Sequence, residues 1–133
     1  MEAKLKHLEM IQGVINRMAG NSFLLKGWNV VLVSALFALA AKDANKLYIY
    51  LAYFPCIVFW ILDGYFLWQE KLYRKLYDEV RIKEEAKIDF SMDTSSLKEK
   101  VNPWSDVVFS PTLALFHGGI ITTVIIVMVI SII

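Results

Sequence analysis

The chain has 133 residues, of which 57% are hydrophobic and only 20% are charged. A single soluble domain of this size would have too few polar side chains to cover its surface, so the composition argues against a soluble monomer. The net charge of +1 creates no strong basic field, which argues against nucleic acid as a partner, and the single cysteine, Cys56, cannot form an internal disulfide.

Residues 1–20 carry apolar side chains at spacings of three and four, which predicts an amphipathic helix. The predicted apolar stripe consists of Leu5, Leu8, Ile11, Ile15 and Met18. Because the other face is charged, we expect this helix to lie in the cytoplasm and to pack against another helix.

Three long apolar stretches follow, at residues 23–41, 47–68 and 112–133. A helix rises ~1.5 Å per residue and the hydrocarbon layer is ~30 Å thick, so each stretch is long enough to cross a bilayer. Apolar residues at helical spacing continue beyond the second stretch, without Gly or Pro, as far as Ile88. The second span therefore extends, in this interpretation, into a cytoplasmic helix that packs beside the N-terminal one.

The predicted fold is an all-α membrane protein with three transmembrane helices. Its parts are an N-terminal amphipathic helix (1–20), a two-span hairpin (21–68), a cytoplasmic helix and connector (69–111), and a third transmembrane helix (112–133). The start of the third helix is indicated by Ser110 followed by Pro111, because Ser caps helices and Pro is tolerated in their first turn.

The distribution of Lys and Arg predicts the orientation, because connections rich in these residues stay on the cytoplasmic side. The short connection between spans one and two holds only Lys42 and Lys46. The long connection before span three holds many more: Lys71, Arg74, Lys75, Arg81, Lys83, Lys87, Lys98 and Lys100. We therefore expect the N-terminus in the cytoplasm and the C-terminus outside the cell.

Four polar residues lie inside the predicted spans at similar depth: Lys26, Asn29, Asp63 and His117. The helical rise places Lys26, Asp63 and His117 about 4–9 Å inside the cytoplasmic boundary. Ionisable residues at this depth are costly unless they are paired. We predict an ion pair between Lys26 and Asp63, with His117 or Asn29 as a further hydrogen-bond partner. The alternatives are a Lys26 ammonium that reaches the headgroups alone, and a His117 that serves as a packing residue or a proton relay.

Small residues fall in the same layer, at Gly27, Gly64, Gly118 and Gly119, and there we expect the helices to approach closely. Pro55 removes a backbone donor from span two and predicts a kink, which serves either as a hinge or for packing. The sequence contains no paired histidines at metal-ligand spacing, no Gly-rich phosphate loop and no CxxC motif. We therefore expect no catalytic residue, no metal and no cofactor.

Two short segments are distinctive in the N-terminal half: Glu9-Met10-Ile11 to Asn16-Arg17, and the entry into span one, Asn21-Ser22-Phe23-Leu24-Leu25. Together with the order of elements over residues 5–87, they resemble the SLATT-type and RipA-like small bacterial membrane proteins. Span three is an addition to the two-span core of that family.

This resemblance implies a homo-oligomeric effector of the bacterial inner membrane. Such an effector permeabilises or depolarises the lipid bilayer in antiphage defence, when a soluble activating protein or signal acts on its cytoplasmic stalk. A non-conducting anchor or scaffold that docks a soluble partner is the alternative. A small transporter, or an accessory subunit of one, is a third option, for which Pro55 is the only indication.

Overall fold

The computed structural model describes residues 1–133 and contains only helices and their connections. The α-helices are α1 (Glu2–Asp43), α2 (Leu47–Leu51), α3 (Tyr53–Ile82), α4 (Trp104–Val108) and α5 (Pro111–Ile132), and two 3-10 helices cover Glu85–Lys87 and Ser95–Lys100. By length and composition, α1, α2 with α3, and α5 can each cross a membrane. The all-α class and the three candidate spans are therefore confirmed, and they indicate membrane association.

The predicted division between an N-terminal helix (1–20) and span one is not a structural boundary. Helix α1 runs through it as one helix of 42 residues, because no proline interrupts it and a glycine inside a helix costs only about 1 kcal/mol. Such a helix is ~63 Å long, about twice the ~30 Å hydrocarbon layer. Roughly half of α1 therefore projects beyond the apolar region, and we call residues 2–20 of α1 together with residues 69–82 of α3 the stalk.

One face of α1 is buried along its whole length. The buried residues recur at helical spacing: His7, Ile11, Ile15, Ser22, Asn29 and Val33. This face shares Ile11 and Ile15 with the predicted stripe and differs from it near the N-terminus, where Leu5 is 53% exposed and His7 is 3% exposed. The shape of the surface packed against α1 selects the buried face, and hydrophobicity alone does not.

The stalk has its own apolar core, formed where α1 packs on α3. Its buried members are Ile11 and Ile15 of α1, Val80 of α3, and Ile88 of the following loop. The expected packing of the N-terminal segment beside the extension of span two is therefore present. The extension ends earlier than expected, at Ile82, because the next residue adopts an extended backbone conformation.

Span two is interrupted near its proline. Helix α2 ends at Leu51 and α3 begins at Tyr53, because Pro55 has no N–H to donate to the carbonyl of Leu51 four residues earlier. The intervening Ala52 keeps right-handed helical angles, with φ −64° and ψ −24°. The chain thus stays helical in conformation through the interruption, and a hinge at Pro55 stays a prediction.

The four glycines do not bring the long helices together as predicted. Only Gly64 is tightly packed: a β-carbon at this position would collide with the Val108 side chain and lie 3.1 Å from the Val108 α-carbon, so its partner is α4. At Gly27, Gly118 and Gly119 a β-carbon would meet nothing within 4 Å. Each of these three follows an inward-pointing polar residue by one or two positions, which turns it away from the other helices of the same chain at ~100° per residue. Their role in helix packing stays a prediction.

A second apolar core lies at the end of the bundle opposite the stalk. Its buried residues come from α1, the region of α2, α3 and α5: Val33, Ile49, Ala52, Cys56 and Val124. Val124 attaches the outer half of α5 to this core. Large apolar side chains elsewhere on the spans point outward, as Phe23 and Leu115 do, which suits contact with lipid.

Candidate functional site

A buried polar network lies between the three long helices, at the stalk end of their apolar stretches. Helix α1 contributes Ser22, Lys26 and Asn29, which share one face because they are separated by four and three residues. Helix α3 contributes Asp63 and α5 contributes His117, and these two side chains are completely buried. The structure thus brings all four of the predicted polar-layer residues into one site.

Asp63 is the centre of the network. Its Oδ1 accepts a hydrogen bond from the Ser22 hydroxyl. Its Oδ2 lies 2.6 Å from Lys26 Nζ and 2.7 Å from His117 Nε2. Lys26 Nζ also donates to Ser22 Oγ at 2.9 Å. One carboxylate therefore accepts from two helices, and two of its three partners are groups that can carry positive charge.

The contact with Asn29 defines the state of the imidazole. Asn29 Nδ2 lies 3.2 Å from His117 Nδ1, and an amide nitrogen can only donate, so Nδ1 accepts this bond. In this arrangement of the amide, the proton that His117 donates to Asp63 is on Nε2. The other amide atom, Asn29 Oδ1, is buried without a hydrogen-bond partner.

Aromatic side chains enclose the imidazole. Trp60 stacks on His117 with ring centroids 5.9 Å apart and an interplanar angle of 14°. The Trp60 indole donates to the carbonyl of Val108 at 2.7 Å, which ties the stack to α4. Phe116 packs edge-on against the ring at 5.1 Å and lies 5.9 Å from Lys26 Nζ. These contacts fix the plane of the imidazole and exclude water from its faces.

The two members of the ion pair differ in their access to solvent. The Lys26 side chain is 20% exposed and the Asp63 side chain is 0% exposed. The lysine can therefore hydrate part of its charge, whereas Asp63 depends on its three partners. Removing one partner of a buried pair costs about 3–5 kcal/mol, although the intact pair adds little net stability.

The network also determines how α5 is attached. Only three residues of α5 are buried: Leu113, His117 and Val124. Two of them make apolar contacts, and His117 supplies the polar link to α3 and α1. A change in the bonding of His117 would consequently loosen the third helix from the hairpin.

The sequence did not single out two contributors to the site. Ser22 precedes Lys26 by four residues, and Trp60 precedes Asp63 by three, so both lie on the face of the ionisable residue that follows them. That spacing was the available signal. The start of α5 at Pro111 agrees with expectation, but the Ser110 hydroxyl makes no capping hydrogen bond.

The stalk carries a second polar feature, a groove between the end of α3 and the connector. Its lining includes Glu79 and Val80 of α3 and Asp93 of the connector. Ser95 donates to Asp93 Oδ1 from its hydroxyl at 2.5 Å and from its backbone at 2.9 Å, and these bonds lower the pKa of Asp93. Lys100 Nζ binds Glu79 at 2.6 Å and fastens the connector to the stalk.

Comparison with known proteins provides no relative for this chain: no protein-family model, no curated protein and no solved structure matches it. The assignment of a function therefore depends on the chemistry of the buried network and of the stalk. That chemistry consists of a carboxylate, an imidazole and an ammonium group held together inside an apolar bundle.

Proposed function

We propose that this protein is a homo-oligomeric membrane effector that permeabilises or depolarises the bilayer when it is activated. The observation that carries this proposal is the network of Lys26, Asp63 and His117 between helices that are otherwise apolar. Ionisable residues are expensive at such positions, and they commonly mark ion pathways, proton relays or switching elements.

The resting protomer is closed. Beyond Asn29, the space between the helices is filled by the apolar core that contains Val33, Cys56 and Val124, so the polar network ends partway through the bundle. Conduction would therefore require a displacement of the helices, several copies of the chain, or both. The outer face of α1 around Gly27, with the exposed Phe23 and Trp28, offers an apolar surface on which copies can pack.

The proposal includes an orientation and a location. Residues 69–111 hold eight of the 14 Lys and Arg residues, whereas the connection between spans one and two holds only Lys42 and Lys46. This asymmetry favours a cytoplasmic stalk and a C-terminus outside the cell. The stalk and its groove would receive a soluble activating protein or signal. The resemblance of residues 5–87 to SLATT-type proteins extends the proposal to the bacterial inner membrane and to antiphage defence.

Membrane potential is the quantity that tests the proposal. The chain would be expressed in bacteria alone and together with the products of its neighbouring genes, before and after phage infection, while a potential-sensitive dye is recorded. We expect a loss of potential under at least one activating condition, and a smaller loss for Asp63→Asn than for the matched control Asp43→Asn, since Asp43 is exposed and makes no salt bridge. A potential that is unchanged under every condition rejects the effector.

A non-conducting anchor is the second candidate, and the stalk groove favours it. A groove lined by Glu79, Asp89 and Asp93 beside apolar residues is suited to hold a segment of a soluble protein. Stoichiometry separates the two functions. A closed ring of many copies in detergent supports the effector, whereas a monomer or dimer bound to a soluble protein supports the anchor.

A further inference from the structure

Two hydrogen-bond donors share one oxygen atom in the buried network. Lys26 Nζ and His117 Nε2 both contact Asp63 Oδ2, at 2.6 and 2.7 Å, while Oδ1 is occupied by Ser22. With Lys26 charged and His117 neutral, the buried charges sum to zero. An added proton on His117 would leave one uncompensated positive charge, which an apolar bundle strongly disfavours.

We propose that this network is a proton-binding site at which His117 and Lys26 exchange as the counterion of Asp63. In the structure Lys26 is the counterion. When the network takes up a proton, the imidazolium of His117 replaces it, and the ammonium of Lys26 moves to the membrane surface. The buried charge is zero in both states.

The atoms of the step can be followed individually. A proton from the aqueous side adds to the lone pair of His117 Nδ1, the ring nitrogen that now accepts from Asn29. His117 Nε2 keeps its proton and its bond to Asp63 Oδ2. Lys26 keeps its own proton and its charge, and it leaves its contacts with Asp63, Ser22 and the Phe116 ring. No bond between heavy atoms is made or broken.

Asn29 accommodates either state of the ring. At present its Nδ2 donates to Nδ1, and its Oδ1 is buried without a partner. When the amide rotates by half a turn, Oδ1 faces the protonated Nδ1 of His117, and the NH2 group takes the position that Oδ1 occupied before. The amide can therefore donate to a neutral ring and accept from a protonated one.

Lys26 is able to leave because of its position. It is 20% exposed, and it lies four residues beyond Ser22, close to the stalk end of the apolar stretch. A lysine side chain there extends along the helix and places its ammonium among lipid phosphates. Asp63 is the only acidic group that faces the ring, and Lys26 is the only other charged group in contact with that carboxylate.

The exchange has a mechanical consequence. In the neutral state α1 reaches Asp63 of α3 through both Lys26 and Ser22, whereas in the protonated state the Lys26 contact is lost and Ser22 alone connects α1 to Asp63. The link between this rearrangement and permeability rests on the proposed function. The proton exchange itself does not, and it is measured without any conduction.

Trp60 provides an optical readout of the ring. An imidazolium stacked on an indole quenches its emission more than a neutral imidazole does, and Trp60 stacks directly on His117. The full chain in lipid nanodiscs would be titrated between about pH 8 and 5, the range in which an imidazole changes charge. We expect the emission to fall along a one-proton curve in the wild type, and to stay level in Trp60→Phe and in His117→Gln.

The chain contains only two histidines, so His7→Gln is the matched control and should titrate like the wild type. In Lys26→Met the competitor is absent, and the midpoint should move to higher pH by about one unit or more. Nitrogen NMR of histidine-labelled wild type gives a second measurement that needs no variant. It should show His117 as the Nε2–H tautomer at pH 8 and doubly protonated at pH 5.

Several results would overturn the proposal. A His117 that is neutral by NMR at pH 5 in the folded protein removes the proton site. A fluorescence change that disappears in His7→Gln assigns the signal to the stalk. An unchanged midpoint in Lys26→Met shows that the two cations do not exchange. If His117 titrates as expected but the protein never alters the membrane potential, the proposed function is refuted and the proton site stands.

Discussion

Removing the lysine from the buried ion pair should cost more stability than neutralising the aspartate. Asp63 is completely buried, so Lys26→Met leaves a carboxylate that cannot reach water. In Asp63→Asn, by contrast, the Lys26 ammonium is already 20% exposed and can extend to the headgroups. The new amide keeps one of the two carboxylate oxygens as an acceptor for His117, and its NH2 group, which replaces the other, can donate to the Ser22 hydroxyl. Removing Lys26 and neutralising Asp63 are therefore predicted to lower the free energy of unfolding by different amounts.

The expected magnitudes follow from the contacts. Lys26→Met at pH 8 should lower the free energy of unfolding by about 3–5 kcal/mol, the range for breaking a buried pair. Asp63→Asn weakens charge-assisted hydrogen bonds but retains an acceptor, and should cost about 1–2 kcal/mol. The double variant should be more stable than Lys26→Met alone, because it has no unpaired carboxylate.

The measurement is a double-mutant cycle in which unfolding is followed in bicelles, for example by steric trapping. Lys42→Met is the matched control, since Lys42 is exposed and makes no salt bridge, and it should change stability by less than about 0.5 kcal/mol. Equal costs for Lys26→Met and Asp63→Asn, or no cost for either, would refute the reasoning. Such a result would mean that water reaches Asp63 in the folded protein.

Three further predictions concern other parts of the molecule. Gly64→Ala should destabilise the protein by about 1–3 kcal/mol through its collision with α4, whereas Gly118→Ala, where the space is open, should be neutral in the same assay. His7→Leu should raise the free energy of unfolding by about 1 kcal/mol, because both ring nitrogens of His7 are buried without partners; a loss of stability would contradict this. Hydrogen bonds from Ser95 lower the pKa of Asp93. The stabilisation that these bonds give to the turn should therefore be complete above the usual carboxyl pKa, and it should be lost as the pH falls through the lowered pKa. The Ser95 amide shift should report that loss, and a midpoint at the usual value would refute it.

The sequence was sufficient to predict the three membrane-length helices of this protein. The lengths of the apolar stretches predict three membrane-crossing helices, because ~20 residues at ~1.5 Å each match the hydrocarbon layer. Pro111 marks the start of α5 for an equally local reason. The depths of Lys26, Asp63 and His117 were also predictable, since depth depends only on the number of residues from a boundary.

Only the tertiary structure decided which faces of these helices meet. Counting residues places Gly118 at nearly the same depth as His117, yet His117 is buried among three helices and a β-carbon on Gly118 would meet nothing within 4 Å. Likewise, the depth of Ser22 gives no indication that it bonds to Asp63. The physical reason is that depth is a property of one helix, whereas the rotation of a helix about its axis is set by the packing and hydrogen bonding of all its neighbours together.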